Sequence, residues 1–468
     1  MASEIRVNKI ENRSGLGTVT FADTGVDLAG IVTATTFSGS GASLTALPAA
    51  QLSGALPAIS AASLTNVPAA NVVGVHTSLT VTNATTTGTA VVGGGVTISE
   101  SGIEASGIGI TCANINGQQI GGRRNIIING EMKINEHSDS NAGAHNTYAV
   151  DRFKLKKEST AANFTMSQST TSPDGLSRSL KMDCTTADTS TAHNEFVVLR
   201  QSIEASDLQQ LGYGTAAAKP LVLSFYVRSN VTGVYSLNCV QNDNSSKIYS
   251  RTYTIDSADT WERKTISIPA DTSGVINDDN GEGLQINFNL LLGSSYKGSA
   301  VSTTWETYAN DKWGSQHGIN LASSTSNEWY LTGVQLEVGS QATAFEHRSY
   351  AEELTLCQRY FYRIRPVTDY AAYGVGGAYS NTQAVAQIHF PTPLRASPTF
   401  SYNGALNTYY DVVGGFTNFS NMTVSQVMGA PDVTSLKVNV VGNGTSGNTF
   451  MLATFGNSTT YLDFDSEL

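Results

Sequence analysis

Leu221-Val222-Leu223-Ser224-Phe225-Tyr226-Val227-Arg228 is the stretch whose reading decides the fold. From Leu223 onward apolar side chains alternate with more polar ones, a period of two that belongs to an extended strand with one face buried. Similar runs recur at short intervals: Phe196 to Leu199, Val234 to Val240, Ile248 to Ile255, Trp261 to Ile268, Leu284 to Leu292 and Glu328 to Glu337. Turns rich in Gly, Asn and Asp separate them. Seven or more short strands in this arrangement predict a β-sandwich or jelly roll.

Outward from this block, the chain reads as modular. Its 468 residues exceed the size at which one hydrophobic core usually keeps growing. Upstream, Ser43-Leu44-Thr45-Ala46-Leu47-Pro48-Ala49-Ala50 returns as Ser63-Leu64-Thr65-Asn66-Val67-Pro68-Ala69-Ala70, with Leu56-Pro57-Ala58 between them. A unit of about ten residues is too short to bury an apolar face alone, so such units must stack or pair with other chains. Proline at that spacing excludes a continuous helix or a central strand. From Thr77 to Ile120 short Val/Ile/Thr runs are broken by Gly, as in Ala90-Val91-Val92-Gly93-Gly94-Gly95-Val96. Copies wound together would close the free edges of such a ribbon. An unstructured Gly/Ser/Thr linker is the competing reading, and the regular Leu and Val positions argue against it.

Downstream, Ser349-Tyr350-Ala351-Glu352 is a capping-box pattern that opens a short helix, with Pro366 expected to end it. A second β lobe follows, with strand-like runs at Ala384 to Phe390, Pro398 to Asn403, Ser435 to Val441 and Thr449 to Phe455, and Tyr402, Tyr409, Tyr410 and Phe416 expected in its loops. The predicted architecture is all-β and elongated. Residues 1–40 form an N-terminal segment, 41–122 a repetitive short-strand shaft, 123–348 a jelly roll, 349–365 a helical linker and 366–468 a C-terminal β domain.

Composition narrows the function classes. Charged residues are 14 % of the chain, with 27 Lys and Arg against 38 Asp and Glu and a net charge of −11. Without a dense basic stretch, nucleic-acid binding is not expected. The four cysteines, Cys112, Cys184, Cys239 and Cys357, form no Cys-x-x-Cys pair and read as small buried apolar residues. Met1 to Arg6 lacks the basic and apolar pattern of a secretory signal, so synthesis and assembly in a cytoplasm are expected. No apolar run approaches the roughly 20 residues that would cross a bilayer as a helix, so membrane insertion is not expected.

Asn125-Ile126-Ile127-Ile128-Asn129-Gly130-Glu131-Met132, followed by Tyr148-Ala149-Val150-Asp151-Arg152-Phe153, resembles the opening of a module found in many phage tail-fibre proteins. Leu223 to Ser229, Thr260 to Lys264, Asp279-Asn280-Gly281, Thr332 to Gly339 and Phe345 to Tyr360 resemble the same module in the same order. That module is similar to jelly-roll carbohydrate-binding modules, which implies sugar binding at a virion surface. Glu4 to Asn12, Gly15 to Phe21 and Gly30 to Phe37 are similar to structural proteins of marine cyanobacterial phages. The resemblance implies an intertwined homotrimer, phage tail or adaptor proteins as partners, host surface glycans as ligands and a place in the virion tail fibre. It also implies that structural calcium can be held where Glu131 and Glu337 fall.

Sugars are usually held on aromatic rings, with amides and carboxylates reaching the hydroxyls. Trp305-Glu306-Thr307-Tyr308-Ala309-Asn310-Asp311-Lys312-Trp313-Gly314 puts three rings in a polar loop. Trp305, Tyr308 and Trp313 are therefore the carbohydrate-binding candidates, the alternative being that the Trp rings plug the end of the sandwich. Trp261 and Trp329 sit in strand patterns and read as core. Asn277 to Glu282 offers oxygen donors but not the spaced pattern of a calcium loop, and Asn280-Gly281 marks a solvated hairpin turn. His137, His145 and His193 read as surface residues. No His-Glu-x-x-His, Gly-x-Ser-x-Gly or acidic-pair motif occurs, so no catalytic residue is assigned and no cofactor is expected. The function expected is adsorption to a host by multivalent glycan binding; the alternatives are a polysaccharide depolymerase tailspike or a purely structural shaft or collar protein.

Overall fold

A computed structural model describes residues 9–11 and most of 18–38, short strands between 84 and 119, 123–365 apart from 139, 244–245 and 299–300, and the strands with some of their connections from 372 to 468. The repeats at 43–50, 56–58 and 63–70 and Cys112 lie outside the described residues. Two units are distinguished, Met1–Ile108 and Gly109–Leu468.

In the first unit, β1 (Lys9–Glu11), β2 (Thr18–Ala22) and β3 (Gly25–Ala29) make an antiparallel meander. Its register aligns Ile10, Val19 and Leu28 across the three strands, and sets Phe21 opposite Val26. Two hairpins follow, β4 (Ala84–Thr86) with β5 (Thr89–Val92) and β6 (Val96–Ser99) with β7 (Gly102–Ala105).

The second unit begins with a hairpin of β8 (Asn114–Ile115) and β9 (Gln118–Gln119), and its main body is a two-sheet sandwich. The strands are β10 (Ser140–Asn141), β11 (Thr147–Tyr148), β12 (Lys154–Glu158), β13 (Asn163–Ser169), β14 (Ser179–Thr186), β15 (Phe196–Glu204), β16 (Leu221–Ser229), β17 (Gly233–Gln241), β18 (Lys247–Ile255), β19 (Glu262–Ile268), β20 (Glu282–Leu292), β21 (Glu306–Thr307) and β22 (Glu328–Val338). The first sheet runs β10-β13-β14-β22-β16-β19 and the second β11-β12-β15-β20-β17-β18-β21. All pairings are antiparallel, and the late strands β20 and β22 insert between earlier ones, which closes the two sheets over one core as in a jelly roll.

Alternation explains that core. Leu223, Phe225 and Val227 of β16 meet Leu237 and Cys239 of β17 and Ile286 and Phe288 of β20, with Trp329 fully buried among them. Phe225 and Phe288 pack edge to face with centroids 5.1 Å apart, joining the sheets. The described cysteines, Cys184, Cys239 and Cys357, are buried and free, as the sequence reading had it.

Strand β20 is buried on both faces, because a loop covers the outside of the second sheet. Asn238 and Asn289 donate to the carbonyl of Trp313 at 3.0 and 3.1 Å, and Asn289 also to the Ser236 hydroxyl at 2.8 Å. Three amide and hydroxyl groups that would be costly to bury alone thus satisfy each other and the loop above them.

Helix α1 spans Tyr350–Gln358, with the Ser349 hydroxyl accepting from the Glu352 amide at 3.3 Å. It stops well before Pro366: the Tyr360 amide bonds back to the Cys357 carbonyl and the chain turns into a strand. That C-terminal region holds β23 (Phe361–Ile364), β24 (Ala372–Ala378), β25 (Gln383–His389), β26 (Thr399–Asn403), β27 (Asn407–Val412), β28 (Gly415–Phe419), β29 (Thr423–Gly429), β30 (Val433–Asn439), β31 (Thr449–Ala453) and β32 (Tyr461–Asp465). Tyr402, Tyr409, Tyr410 and Phe416 lie in strands here and not in loops. The sheets run β23-β32-β26 and β28-β27-β31-β24-β25-β30-β29. Among the described residues no helix is long and apolar enough to cross a membrane.

Candidate functional site

On the solvent side of the first sheet a cleft of about 540 Å³ is floored by Tyr226 and Arg263. Its walls are Asp174 to Leu176 on one side and Ala342 to Phe345 with His347 on the other. Strand alternation supplies the floor: with Phe225 and Val227 in the core, Ser224, Tyr226 and Arg228 point out. Between Ser224 and Tyr226 the register with β22 shifts, so an extra β22 residue is accommodated and Gly333 takes a left-handed φ of +58°. A bulge of this kind re-aims the neighbouring side chain. A Cβ on Gly333 would lie 2.9 Å from Cδ2 of Tyr226 and 2.9 Å from Cδ1 of Leu176, so the tyrosine ring rests against bare backbone.

The backbone groups freed by the bulge are taken up by the conspicuous Asn125–Met132 segment. The Val334 amide donates to the Gly130 carbonyl at 2.9 Å and the Val334 carbonyl accepts from the Asn125 side chain at 3.1 Å. That segment also delivers Glu131, whose carboxylate accepts from the Ser177 amide and hydroxyl, both at 3.1 Å, and pairs with Lys133 at 2.7 Å. On the opposite wall Glu337 accepts the Thr343 amide at 3.0 Å and the Thr343 hydroxyl. Gln335 reaches the same loop twice, donating to the Ala344 carbonyl at 3.1 Å and accepting the Glu346 amide at 2.7 Å. Arg263 donates to the Thr343 carbonyl at 2.5 Å.

Glu131 and Glu337, read as calcium ligands, thus pin one wall each. Their oxygens are occupied by protein donors, and among the described residues no group of three or more His, Cys, Asp or Glu is set to hold a metal ion. The residues present do not fit the calcium site implied by the resemblance. The Asn277 to Glu282 turn is likewise engaged: Asn280 exchanges hydrogen bonds with the backbone and side chain of Arg395 in the C-terminal region, at 3.1 and 2.9 Å.

The loop aromatics are placed differently from the exposed platform expected. Trp305 is buried, its indole donating to the Pro269 carbonyl at 2.8 Å. Trp313 is buried in a satellite cluster with Phe196, Val198, Val240, Ile248 and Leu292, and its indole donates to the Tyr308 hydroxyl at 2.9 Å. Tyr308 is half-buried. For Trp313 the amide ladder beneath draws its carbonyl onto the sheet, whereas Trp305 is held separately against Tyr213 and Tyr249, with ring centroids 6.0 and 5.9 Å away. Trp261, read as core, is instead half-buried on the outer side of the first sheet, with its ring 6.1 Å from that of Tyr330.

His137 is not a free surface residue. Its ring is stacked between Tyr148 and Phe361 at 4.5 and 3.6 Å, and Nδ1 lies 2.9 Å from Asp151, at the seam between the sandwich and β23. Burial opposes a charge on the ring, but Asp151, Glu467 and Asp465 outweigh it and raise the pKa above its ordinary value. His317 is the opposite case: burial beneath the loop and the nearby Lys297 push it down to about 3, so it is neutral and its Nδ1 accepts from the Ser236 amide. Sequence reasoning missed Tyr226, Gly333 and Arg263 as a group. The adjacent Thr332-Gly333-Val334 was the available signal, since a glycine inside a strand pattern suggests a bulge.

No protein-family model and no curated protein matches the chain. Among solved structures it is similar to the enzymatically active domain of tailspike protein 4 of bacteriophage CBA120, at 12 % identity over 46 % of this chain and 21 % of that one, with a TM-score of 0.26. It is also similar to TmCBM61 in complex with β-1,4-galactotriose, at 9 % identity over 46 % of this chain and 99 % of that one, TM-score 0.24. A third is the family 11 carbohydrate-binding module of the Clostridium thermocellum cellulase Lic26A-Cel5E, at 16 % identity over 45 % of this chain and 99 % of that one, TM-score 0.22.

Proposed function

We propose that this chain is an adhesion subunit of a phage tail fibre, holding host-surface glycans in the cleft over Tyr226 without cleaving them. The observation that carries the reading is the Tyr226 ring, seated on Gly333 and flanked by the Arg263 guanidinium between two pinned walls. A pyranose presents an apolar face that suits an aromatic ring and a rim of hydroxyls that suits guanidinium and carboxylate groups, here Arg263 and Asp174. Walls held by buried carboxylates lower the ordering cost of binding. The ordered tail-fibre-like motifs support the virion setting, since several of them build this cleft. Weak single-site binding suits a trimer, in which several cleft copies engage one surface at once.

Affinity electrophoresis through gels containing host-cell surface polysaccharide tests this. Retarded migration of the full chain, lost in Tyr226→Ala and unaccompanied by new reducing ends, is the expected result. Migration unaffected by every host polysaccharide, or release of reducing ends, would overturn it.

A further inference from the structure

Beyond the cleft, the same face of the first sheet carries a second row of groups. Tyr226 pairs with Arg263 across β16 and β19, and Val227 with Glu262. Trp261 is the residue just beyond that last pair, and its ring lies 6.1 Å from that of Tyr330, which is opposite Arg228 on β22. Trp261, Arg228 and Tyr330 thus form a row parallel to the Arg263–Tyr226 row and about 7 Å from it, two residues along a strand. The row is built, not incidental. Asp259 holds Arg228 through its carboxylate and its carbonyl, both at 2.9 Å, and the guanidinium lies 5.0 Å over the Tyr330 ring. The Trp261 ring leans over β16 to meet Tyr330 at 70°. Of the four tryptophans, Trp305, Trp313 and Trp329 are buried and Trp261 is half-buried.

We infer that the ligand of this face is an internal segment of a polysaccharide chain, lying along β16 with one sugar over Tyr226 and a later one against Trp261. This rests on the glycan reading of the cleft and adds to it that the site is a track open beyond the cleft and not a pocket for a single sugar or chain end. Two ring-and-guanidinium rows set further apart than adjacent sugars of one chain would reward length, each row contributing its own contact.

Trp261 is its own reporter. The probes are the host polysaccharide retained in the electrophoresis experiment and its partial acid hydrolysate, sized to one, two, four and six sugars. In the free full-length protein, limiting N-bromosuccinimide should oxidise one indole rapidly, and that fast phase should be absent in Trp261→Phe. Saturating tetrasaccharide should protect it, whereas saturating monosaccharide should not. Affinity should rise with length up to four sugars. Trp261→Ala should lose roughly tenfold for the tetrasaccharide and nothing for the monosaccharide, with Trp261→Phe restoring part of the loss. Equal affinity for one and four sugars, or an indole that stays reactive under bound tetrasaccharide, would overturn the track while leaving the cleft reading intact. Binding lost in Trp261→Ala but retained in Tyr226→Ala would instead overturn the cleft reading, and no retention of any polysaccharide would overturn both.

Discussion

Gly333 is where a single residue has the most leverage on the site. Its φ of +58° is a region that side chains with a Cβ occupy at a cost, and the added carbon would press on Tyr226 and Leu176. Gly333→Ala should therefore cost about 1–2 kcal/mol of stability in urea titration and weaken glycan retention, because the ring beneath the sugar must move. Glu337 shows a different dependence. It is 1 % exposed and accepts two hydrogen bonds from Thr343. In Glu337→Ala both acceptor oxygens are removed and the Thr343 amide loses its partner, a loss of about 1–3 kcal/mol. The expected signature is faster hydrogen exchange in the amides of 342–347, with the exchange of β20 unchanged.

Pinned loops decide what each face of the sandwich shows to solvent. On the second sheet the Asn238 and Asn289 amides draw in the loop at Trp313; on the first, Glu131 and Glu337 pin two loops. The seam with the C-terminal region depends on charge. Asp151, Glu467 and Asp465 surround His137, with Glu136 and Arg363 also nearby, and Arg363 forms a bidentate pair with Asp463 and donates to the His137 carbonyl. Since the folded-state pKa of His137 is raised, its stabilising contribution is complete below the unfolded value of about 6.5. It is lost as the pH rises through the higher folded value. The thermal midpoint should accordingly fall over that interval in the native chain, and His137→Asn should flatten that part of the profile. A midpoint that instead rises there would show that the ring is held neutral in the fold.

For the whole molecule, the N-terminal meander bears on assembly. Ile10 and Leu28 flank Val19 in register and are 52 % and 43 % exposed, and Val26 beside them is 55 % exposed. An apolar row on a three-stranded sheet is a surface for burial against something else. With copies of the same chain as the partner, sedimentation equilibrium should give a trimer. Val26→Asp with Leu28→Asp should shift it toward monomer and reduce retention on polysaccharide by far more than any change in single-site affinity, as lost avidity requires.

Strand runs such as Leu221–Arg228 and Glu328–Glu337 were legible because a period of two needs only local alternation, and their observed bounds differ by a residue at most. Lys154–Glu158, Asn163–Ser169 and Ser179–Thr186 escaped, since most of their side chains are polar and no continuous apolar run marks them. Sequence alone determined the all-β class, seven of the sandwich strands and the burial of Trp329. It could not determine which face a loop covers, because that depends on partners far along the chain: the Trp313 carbonyl is held by Asn238 and Asn289, and Tyr226 is seated by Gly333. Those pairings exist only after β20 and β22 have inserted between earlier strands, so the candidate site is a property of the tertiary fold.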